Sequence, residues 1–175
     1  MQIELHELEL RYAGMRISDP ARRGHLLASL ARQGQQSPVL VVPEGAPPFV
    51  LIDGYARVEA LRELGRDLVE ALVLDVSEDD ALILAHRLET KRRRSVLEEG
   101  WLLEILSERG LSQSAIAARL QRSVSWVCRR LALVRALPEV AQAAVRQGVV
   151  PPQGAMKFLV PLSRDKAEHC ERLVA

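Results

Sequence analysis

The segment from Arg109 to Pro138, RGLSQSAIAARLQRSVSWVCRRLALVRALP, constrains the chain more than any other stretch. It contains six arginines and neither aspartate nor glutamate. Two short amphipathic runs flank a polar turn, which is typical of a helix-turn-helix. Ser112 is placed to cap the first helix, and either Ser123 or Ser125 to cap the second. We therefore predict a helix-turn-helix at about 112–134.

In this motif the second helix lies in the major groove of double-stranded DNA, with its N-terminal residues on base edges. The predicted DNA-binding residues belong to the helix starts and to the second helix: Ser112, Gln113, Arg122, Ser123, Ser125, Trp126, Arg129 and Arg130. Trp126 fits a core anchor as well as a base-edge contact. The competing interpretation is an ordinary helix pair with solvated arginines, in a helical scaffold that binds protein. The unbroken positive sign favours DNA.

Charge is distributed unevenly along the chain. Residues 1–86 hold eight Arg or Lys against fourteen Asp or Glu, a net charge of −6. Residues 87–175 hold sixteen against nine, a net charge of +7. An acidic half joined to a basic half indicates two modules, of which one faces a polyanion. We place these modules at residues 1–90 and 91–175.

The pattern of the first module alternates between strand and helix. Short apolar runs at 38–42 and 49–53 predict two strands joined by a hairpin-type loop. From Val96 onward the apolar spacing is helical, and Ser163 is expected to start the last helix. The predicted fold class is therefore α+β: a small mixed α/β module followed by an all-helical domain that contains the helix-turn-helix.

The cysteines and histidines predict no metal site and no disulfide framework. Cys128 and Cys170 lack metal-ligand spacing, and the four histidines are scattered. Cys128 falls inside the second helix of the motif, where we expect a small buried residue. No run of about 18 apolar residues occurs, and the acidic, alternating N-terminus is unlike a signal peptide. We therefore predict a cytoplasmic protein with no membrane partner.

Two segments of the first module could approach a phosphate group. Gly34 to Pro38, GQQSP, follows a helix and precedes a strand, and Asp53 to Arg57, DGYAR, lies where a strand turns into a helix. A glycine at such a turn lets the backbone come close to a ligand, and a helix N-terminus offers N–H groups. Arg57 would add a charge-assisted bond. An ordinary helix start is the competing interpretation.

In combination these segments resemble the ParB family of DNA-partition proteins, over nearly the whole chain. LLASLARQG, at residues 26–34, followed by PVLV, resembles the family's L-x-x-S-I-x-x-x-G … P-I-x-V segment. GYARVEA, from Gly54, sits where the family has G-E-R-R-x-R-A, and the Glu89-Thr pair sits where it has E-N. LEEG, from Leu97, resembles I-E-E-A, and LALVRALP, at residues 131–138, resembles the leucine-rich run that follows the recognition helix.

The resemblance implies a nucleotide site, because family members bind CTP with magnesium and then close a clamp around DNA. The implied nucleotide-binding residues come from the three matching segments: Gly34, Gln35, Gly54, Tyr55, Arg57 and Glu89. Glu89 is also the implied magnesium ligand. Of the family motif's three arginines only Arg57 is kept, since Ala56 and Glu59 replace the others. The resemblance therefore implies CTP-modulated DNA binding. The loss of two arginines leaves CTP-independent regulation as the alternative.

We therefore predict a sequence-specific DNA-binding protein of ParB type, in DNA partition or in plasmid or mobile-element regulation. The expected partners are double-stranded DNA, a second copy in a homodimer and, for partition, a partner ATPase. An enzyme is the second hypothesis, because the first module also resembles one shared with sulfiredoxin-type enzymes and nucleases. No cysteine lies near Arg57, and Asp53 and Glu89 are the only acidic candidates for a nuclease metal. The sequence favours a non-enzyme and leaves CTP hydrolysis undecided.

Overall fold

The computed structural model describes residues 1–45, 47–88 and 94–174, and the chain divides into two compact units. The first unit comprises residues 1–14 and 19–88, and the second comprises residues 15–18 and the chain from residue 89 onward. The first is mixed α/β, and the second is helical throughout its described elements, which confirms the predicted fold class. The predicted module boundary at residues 90 and 91 lies outside the described residues and stays a prediction.

The first unit is built on a five-stranded sheet. Its strands are β1 (Gln2–Glu4), β2 (Leu8–Glu9), β3 (Val39–Pro43), β4 (Phe49–Asp53) and β5 (Leu68–Val73). The strand order is β1-β5-β3-β4-β2. β3 and β4 form the predicted antiparallel hairpin, whereas β5 pairs with β3 in parallel and with β1 in antiparallel. The hairpin therefore forms the centre of the sheet next to β5.

Three helices accompany this sheet: α1 (Pro20–Gln33), α2 (Tyr55–Glu63) and α3 (Glu78–Leu88). Apolar side chains from the hairpin, α2 and α3 form a core with no exposed surface: Val39, Val41, Val50, Ile52, Val58 and Leu82. Full burial of each such side chain contributes about 1.5–3 kcal/mol to folding. The core holds the end of β4 and the start of α2 in a defined position, and these carry the DGYAR turn.

A cluster of four charged groups ties the edge of the first unit together. The Arg11 guanidinium donates hydrogen bonds to Glu9 at 2.8 Å, to Glu44 at 2.7 Å and to Glu78 at 2.7 Å. These carboxylates come from β2, from the loop after β3 and from the start of α3. The Arg11 side chain lowers the pKa of Glu9 and thus favours its ionised form. The Tyr12 hydroxyl also donates to Glu78.

The second unit contains the remaining helices: α4 (Val96–Glu108), α5 (Gln113–Leu120), α6 (Val124–Ala136), α7 (Glu139–Arg146), α8 (Pro152–Gly154), α9 (Val160–Asp165) and α10 (Ala167–Val174), with a π-helical segment (Ala155–Leu159) between α8 and α9. The prediction that Ser163 starts the last helix is wrong, because the last helix, α10, begins at Ala167. Ser163 lies inside α9, and its hydroxyl donates to the Ala136 carbonyl at 2.5 Å, at the end of α6. Among the described residues, every helix is too short or too polar to span a membrane.

The α4 and α6 helices approach each other closely at Gly100. A Cβ atom on Gly100 would lie 2.5 Å from Val134 Cγ1 and 3.0 Å from the Arg130 carbonyl oxygen. The first distance is shorter than real carbon–carbon contacts, and the second is at the tight limit of carbon–oxygen contacts. The contact surface next to it is apolar, and Leu97, Val127 and Leu131 are almost completely buried. Glycine at this position therefore determines how α6 lies against α4.

Gln142 of α7 fixes the C-terminal end of α6. Its Nε2 donates to the Val134 carbonyl at 3.0 Å and to the Leu137 carbonyl at 2.9 Å. These carbonyls lie at the C-terminal end of α6, where carbonyls lack the usual partner four residues ahead, and the Val134 carbonyl also accepts from the Leu137 N–H at 3.2 Å. The Gln142 Oε1 in turn accepts a hydrogen bond from Trp101 Nε1 at 2.7 Å. One amide therefore links α4, α6 and α7.

Residues 15–18 belong to the helical unit although they precede most of the first unit in sequence. Met15 has no exposed surface. The Ile17 N–H donates to Glu98 Oε1 at 3.1 Å, and the Ser18 N–H donates to the Arg146 carbonyl at 2.8 Å. Nothing in the residue pattern indicated this. The helical unit is therefore completed by a segment more than seventy residues away from α4.

The first prediction concerns Gly100. Gly100→Ala should destabilise the helical unit by about 1–3 kcal/mol, because the added methyl group overpacks the contact between α4 and α6. Urea unfolding followed by tryptophan fluorescence measures this, since Trp101 and Trp126 both lie in the helical unit. Gly24→Ala is the control, because its Cβ would meet nothing within 4 Å. Equal unfolding midpoints for wild type and Gly100→Ala would contradict the close approach.

Candidate functional site

Each helix of the predicted helix-turn-helix begins with a serine cap. Ser112 Oγ accepts a hydrogen bond from the Ala115 N–H at 3.2 Å, at the start of α5. Ser123 Oγ accepts one from the Trp126 N–H at 3.2 Å, at the start of α6. The second cap is thus Ser123 and not Ser125. Capping uses a lone pair of each oxygen, so the Ser123 hydroxyl proton can still be donated, whereas Ser112 Oγ also shares a hydrogen bond with Ser114 Oγ at 3.0 Å.

A tight turn separates the two helices. Gln121 adopts the left-handed conformation with φ of 54°, a common way to end a helix. The Arg122 N–H then donates to the Ala117 carbonyl at 2.9 Å, which closes the last turn of α5. Arg122 consequently lies immediately before the cap of α6, with an exposed side chain. This is a position from which a side chain can reach nucleic acid beside the start of a recognition helix.

The N-terminal half of α6 has one exposed face and one buried face. Val127 and Leu131 are buried against the core. Ser125 and Arg129, four residues apart, are exposed and share the opposite face. Among the described residues, none forms a hydrogen bond or an ion pair with the Arg129 side chain. The exposed face therefore carries a hydroxyl and a free guanidinium, which suit base edges and phosphates.

The expectation that Cys128 is buried is wrong, because Cys128 is exposed. Val127 occupies the core position, and the next residue along a helix is rotated by about 100° away from it. The Cys170 thiol is buried, and its burial raises its pKa. Cys128 is therefore the accessible thiol of the two, and it lies on the exposed part of α6.

Arg130 has partners inside the protein. Its Nε donates to Glu99 Oε2 of α4 at 2.8 Å, and the two side chains are 23% and 13% exposed. Its guanidinium also lies over the Trp126 ring, 5.1 Å from the centroid, and the Arg122 guanidinium lies over the same ring at 5.3 Å. Trp126 is half-buried. Cation–π attraction at these distances holds the three side chains together.

Glu99 of α4 contacts the N-terminal half of α6, and the sequence did not indicate this contact. It lies 31 positions before Arg130, on a different helix. Neither helical spacing nor a known motif links the two. Of the other predicted DNA-binding residues, Gln113 is half-buried at the start of α5. The candidate nucleic-acid surface is thus formed by the start of α5, the turn and the N-terminal half of α6.

The structure also brings the two phosphate-type segments of the first unit together. Arg57 Nη1 donates to the Ser37 carbonyl at 3.0 Å, to Ser37 Oγ at 2.8 Å and to the Pro38 carbonyl at 2.7 Å. Its Nη2 donates to Asp53 Oδ2 at 2.9 Å. Arg57 therefore joins the loop before β3 to the turn between β4 and α2. Its donors are directed at the protein's own oxygens.

The other candidate residues at this turn also have clear structural roles. Gly54 has φ of 107°, and a Cβ there would lie 2.4 Å from Val39 Cγ1. The buried Tyr55 hydroxyl donates to the Leu51 carbonyl at 2.5 Å and accepts from the Tyr12 N–H at 3.1 Å. A glycine and a tyrosine are therefore required by packing, whether or not a ligand binds.

Gly34 and Gln35 hold the loop that precedes β3. Gly34 ends α1 with φ of 68°, and its N–H donates to the Leu30 carbonyl at 3.0 Å. Gln35 Nε2 donates to the Glu70 carbonyl at 2.7 Å, and its Oε1 accepts from the Glu70 N–H at 2.8 Å. Both polar atoms of the Gln35 amide are thus bonded to the backbone of β5. Glu89, the remaining nucleotide candidate, lies outside the described residues.

Of the described nucleotide candidates, Arg57 is the only cation. Ala56 and Glu59 are exposed near the start of α2, where the family motif has arginines. Arg57 carries the positive charge at the turn, and Asp53 already pairs with it. Within residues 1–45, 47–88 and 94–174, no group of three His, Cys, Asp or Glu could hold a metal ion. Of the three arginine positions of the family motif, this chain thus keeps a positive charge at Arg57 alone.

Comparisons with known proteins place the first unit in a family. Residues 1–87 match the family described as "ParB N-terminal domain". The chromosome-partitioning protein Spo0J of Thermus thermophilus is 33% identical over 123 residues, which are 69% of this chain and 45% of that protein. The nucleoid occlusion protein of Bacillus mycoides is 25% identical over 160 residues, 90% of this chain and 54% of that protein. The chain thus spans about half the length of these relatives.

A solved structure supports the same fold. The pNOB8-like ParB N-domain superimposes with a TM-score of 0.54 at 18% sequence identity, over 94% of this chain and 81% of that chain. At this identity the likeness concerns the fold alone. It extends beyond the first unit, since the matched share of the chain is larger than residues 1–87.

The second prediction concerns the structural role of Arg57. Without any nucleotide, Arg57→Ala should lower the stability of the first unit by about 1–3 kcal/mol, because hydrogen bonds to a charged donor are lost. Hydrogen exchange of the β3 and α2 amides measures this. Arg66→Ala is the control, since it removes an exposed arginine of the same unit. Unchanged exchange in Arg57→Ala would show that these bonds contribute little.

Proposed function

Residues 1–87 belong to the ParB N-terminal domain family, and we propose that this chain is a sequence-specific DNA-binding protein of ParB type that reads double-stranded DNA through α5 and α6. The observation that carries the proposal is the exposed face of α6. It presents Ser125 and the free guanidinium of Arg129, next to the exposed Arg122 of the turn. No carboxylate of the segment 109–138 opposes these charges. Such a surface attracts phosphates and can bond to base edges.

The name of one relative supports partition as the biological process. The Thermus thermophilus relative is named a chromosome-partitioning protein, and the Bacillus mycoides relative is named a nucleoid occlusion protein. The reduced charge at the α2 turn supports the alternative, a regulator that reads DNA without a nucleotide. A homodimer, a partner ATPase and a cytoplasmic location stay predictions from the sequence. The DNA-reading surface is common to both processes.

The third prediction tests the DNA-reading surface. The wild-type protein is first used to select a duplex from a random library. If Arg129 contacts a base edge, Arg129→Ala should bind this duplex with about 1–3 kcal/mol less free energy than the wild type. Fluorescence anisotropy at several salt concentrations measures this. A phosphate contact would instead lower the slope of log affinity against log salt by about 1.

The matched control for this measurement is Arg164→Ala. Arg164 is an exposed arginine of α9, so the substitution removes one positive charge outside the helix-turn-helix. The DNA affinity of Arg164→Ala and its slope of log affinity against log salt should stay close to those of the wild type. Equal losses for both variants would indicate a nonspecific charge effect and would contradict a reading role for α6. Failure to enrich any duplex would contradict the proposed function itself.

For the nucleotide, we propose that the α2 turn keeps the place of a CTP site and has lost most of its affinity. Of the family's three arginines, Arg57 is the one kept, and it is bonded to Ser37, Pro38 and Asp53. Glu59 adds a negative charge beside a ligand that is itself a polyanion. Each lost charge-assisted bond costs about 1.5–3 kcal/mol. Magnesium would reach this site only with the nucleotide, and Glu89 is its proposed ligand.

The fourth prediction restores the charge. Calorimetry with CTP and magnesium should give weak or no binding for the wild type. The Ala56→Arg/Glu59→Arg double variant should bind at least about tenfold more tightly, because two cations replace a methyl group and a carboxylate. Arg57→Ala in the double variant should abolish the gain. Micromolar CTP binding by the wild type would contradict the proposed loss of affinity.

A further inference from the structure

Four side chains form a continuous row from α4 to the turn before α6. The row runs from Glu99 through Arg130 and Trp126 to Arg122. Its first link is the ion pair between Glu99 and Arg130, and its other links are the stacks of the two guanidinium groups on the Trp126 ring. Burial decreases along the row, from the Glu99 side chain, 13% exposed, to the exposed Arg122.

Arg130 is poorly placed to contact DNA itself. Its Nε is bonded to Glu99, and its side chain is 23% exposed. Its charge is already balanced by the Glu99 carboxylate, and an outward movement that left this largely buried carboxylate without its partner would be costly. Arg122 has no comparable constraint, since among the described residues its side chain is held by the stack on Trp126. The two arginines of the row therefore differ in role.

This inference rests on the proposed function: we propose that Glu99 is a positioning residue for DNA recognition, which acts through Arg130 and Trp126 to hold Arg122 ready for contact with DNA. Glu99 fixes the Arg130 guanidinium, Arg130 holds the Trp126 ring, and the ring orders Arg122. An arginine side chain loses much rotamer freedom when it binds a ligand. Because Arg122 is already ordered in the free protein, less of that freedom is lost on binding.

The proposal predicts the opposite sign from simple electrostatics. Glu99→Gln removes a negative charge near the DNA-binding helix, so charge alone would strengthen DNA binding. If Glu99 positions Arg122, the same substitution weakens binding, by about three- to tenfold, which corresponds to the ordering of one long side chain. Affinity for the selected duplex at low salt decides between the two.

The α4 and α6 helices provide a closely matched control. Glu104 of α4 likewise accepts from Arg135 Nε of α6, at 2.9 Å, in a pair that is more exposed than Glu99 and Arg130. Arg135 lies in the last turn of α6 and stacks on no described aromatic ring. Glu104→Gln removes the same charge from the same helix pair and should leave affinity unchanged or slightly raised. Equal weakening by both variants would overturn the positioning role.

A double variant separates positioning from a general loss of structure. In the Arg122→Ala background, Glu99→Gln should have almost no further effect, because the residue that it serves is gone. Additive losses would overturn the proposal. Additivity is also the result expected if Glu99→Gln merely damaged the fold. The comparison therefore stays decisive even if Glu99→Gln lowers stability.

A measurement without DNA keeps this test apart from that of the proposed function. Trp101 is 4% exposed, so acrylamide quenching reports mainly on the half-buried Trp126. Glu99→Gln should increase the quenching, and Glu104→Gln should not. Unchanged quenching with Glu99→Gln would overturn the row in the free protein. Increased quenching in a protein that binds no duplex would uphold the row and contradict only the proposed DNA binding.

Discussion

The close approach of α4 and α6 at Gly100 is the contact on which the candidate nucleic-acid surface depends. The missing Cβ lets the Arg130 backbone and the Val134 side chain lie against α4. The same approach brings Glu99, the neighbour of Gly100, within 2.8 Å of the Arg130 side chain. The inward side of α6 is thereby fixed by packing and by two ion pairs with α4. The outward side, with Arg129, is left exposed for a ligand. One packing constraint thus determines both the core of the helical unit and the exposed face of α6.

Residues of the predicted nucleotide site have structural roles in the first unit. The Gly54 turn is required because a Cβ would collide with Val39, and Arg57 is held by Ser37, Pro38 and Asp53. A sequence that keeps these residues still folds the turn correctly. What a triphosphate needs in addition is unopposed positive charge, and that depends on positions with no packing role. The exposed Glu59 is one of them. Fold and nucleotide affinity can therefore change independently at this turn.

The features that were predicted correctly from the sequence depend on local interactions. The serine caps of α5 and α6 bond to N–H groups three residues ahead, so the helix-turn-helix is visible in a short segment. The β3–β4 hairpin follows from two adjacent apolar runs in the same way. The features that were missed depend on distant partners. Arg130 pairs with a carboxylate 31 residues earlier in the chain. Residues 15–18 join a unit whose helices, α4 to α10, begin only at Val96. Residue patterns do not specify which distant group an arginine or a loop will meet.

The exposed Cys128 allows the most direct test of DNA recognition by α6. Cys128 lies beside Arg129 on the exposed part of the helix, whereas Cys170 is buried. The measurement is the rate of Cys128 alkylation by iodoacetamide, with and without a saturating amount of the selected duplex. If α6 lies in the major groove, the duplex should slow alkylation at least about tenfold at low salt, and high salt should restore the rate as the complex dissociates. An unchanged rate in a protein that is demonstrably bound to DNA would contradict α6 as the recognition helix.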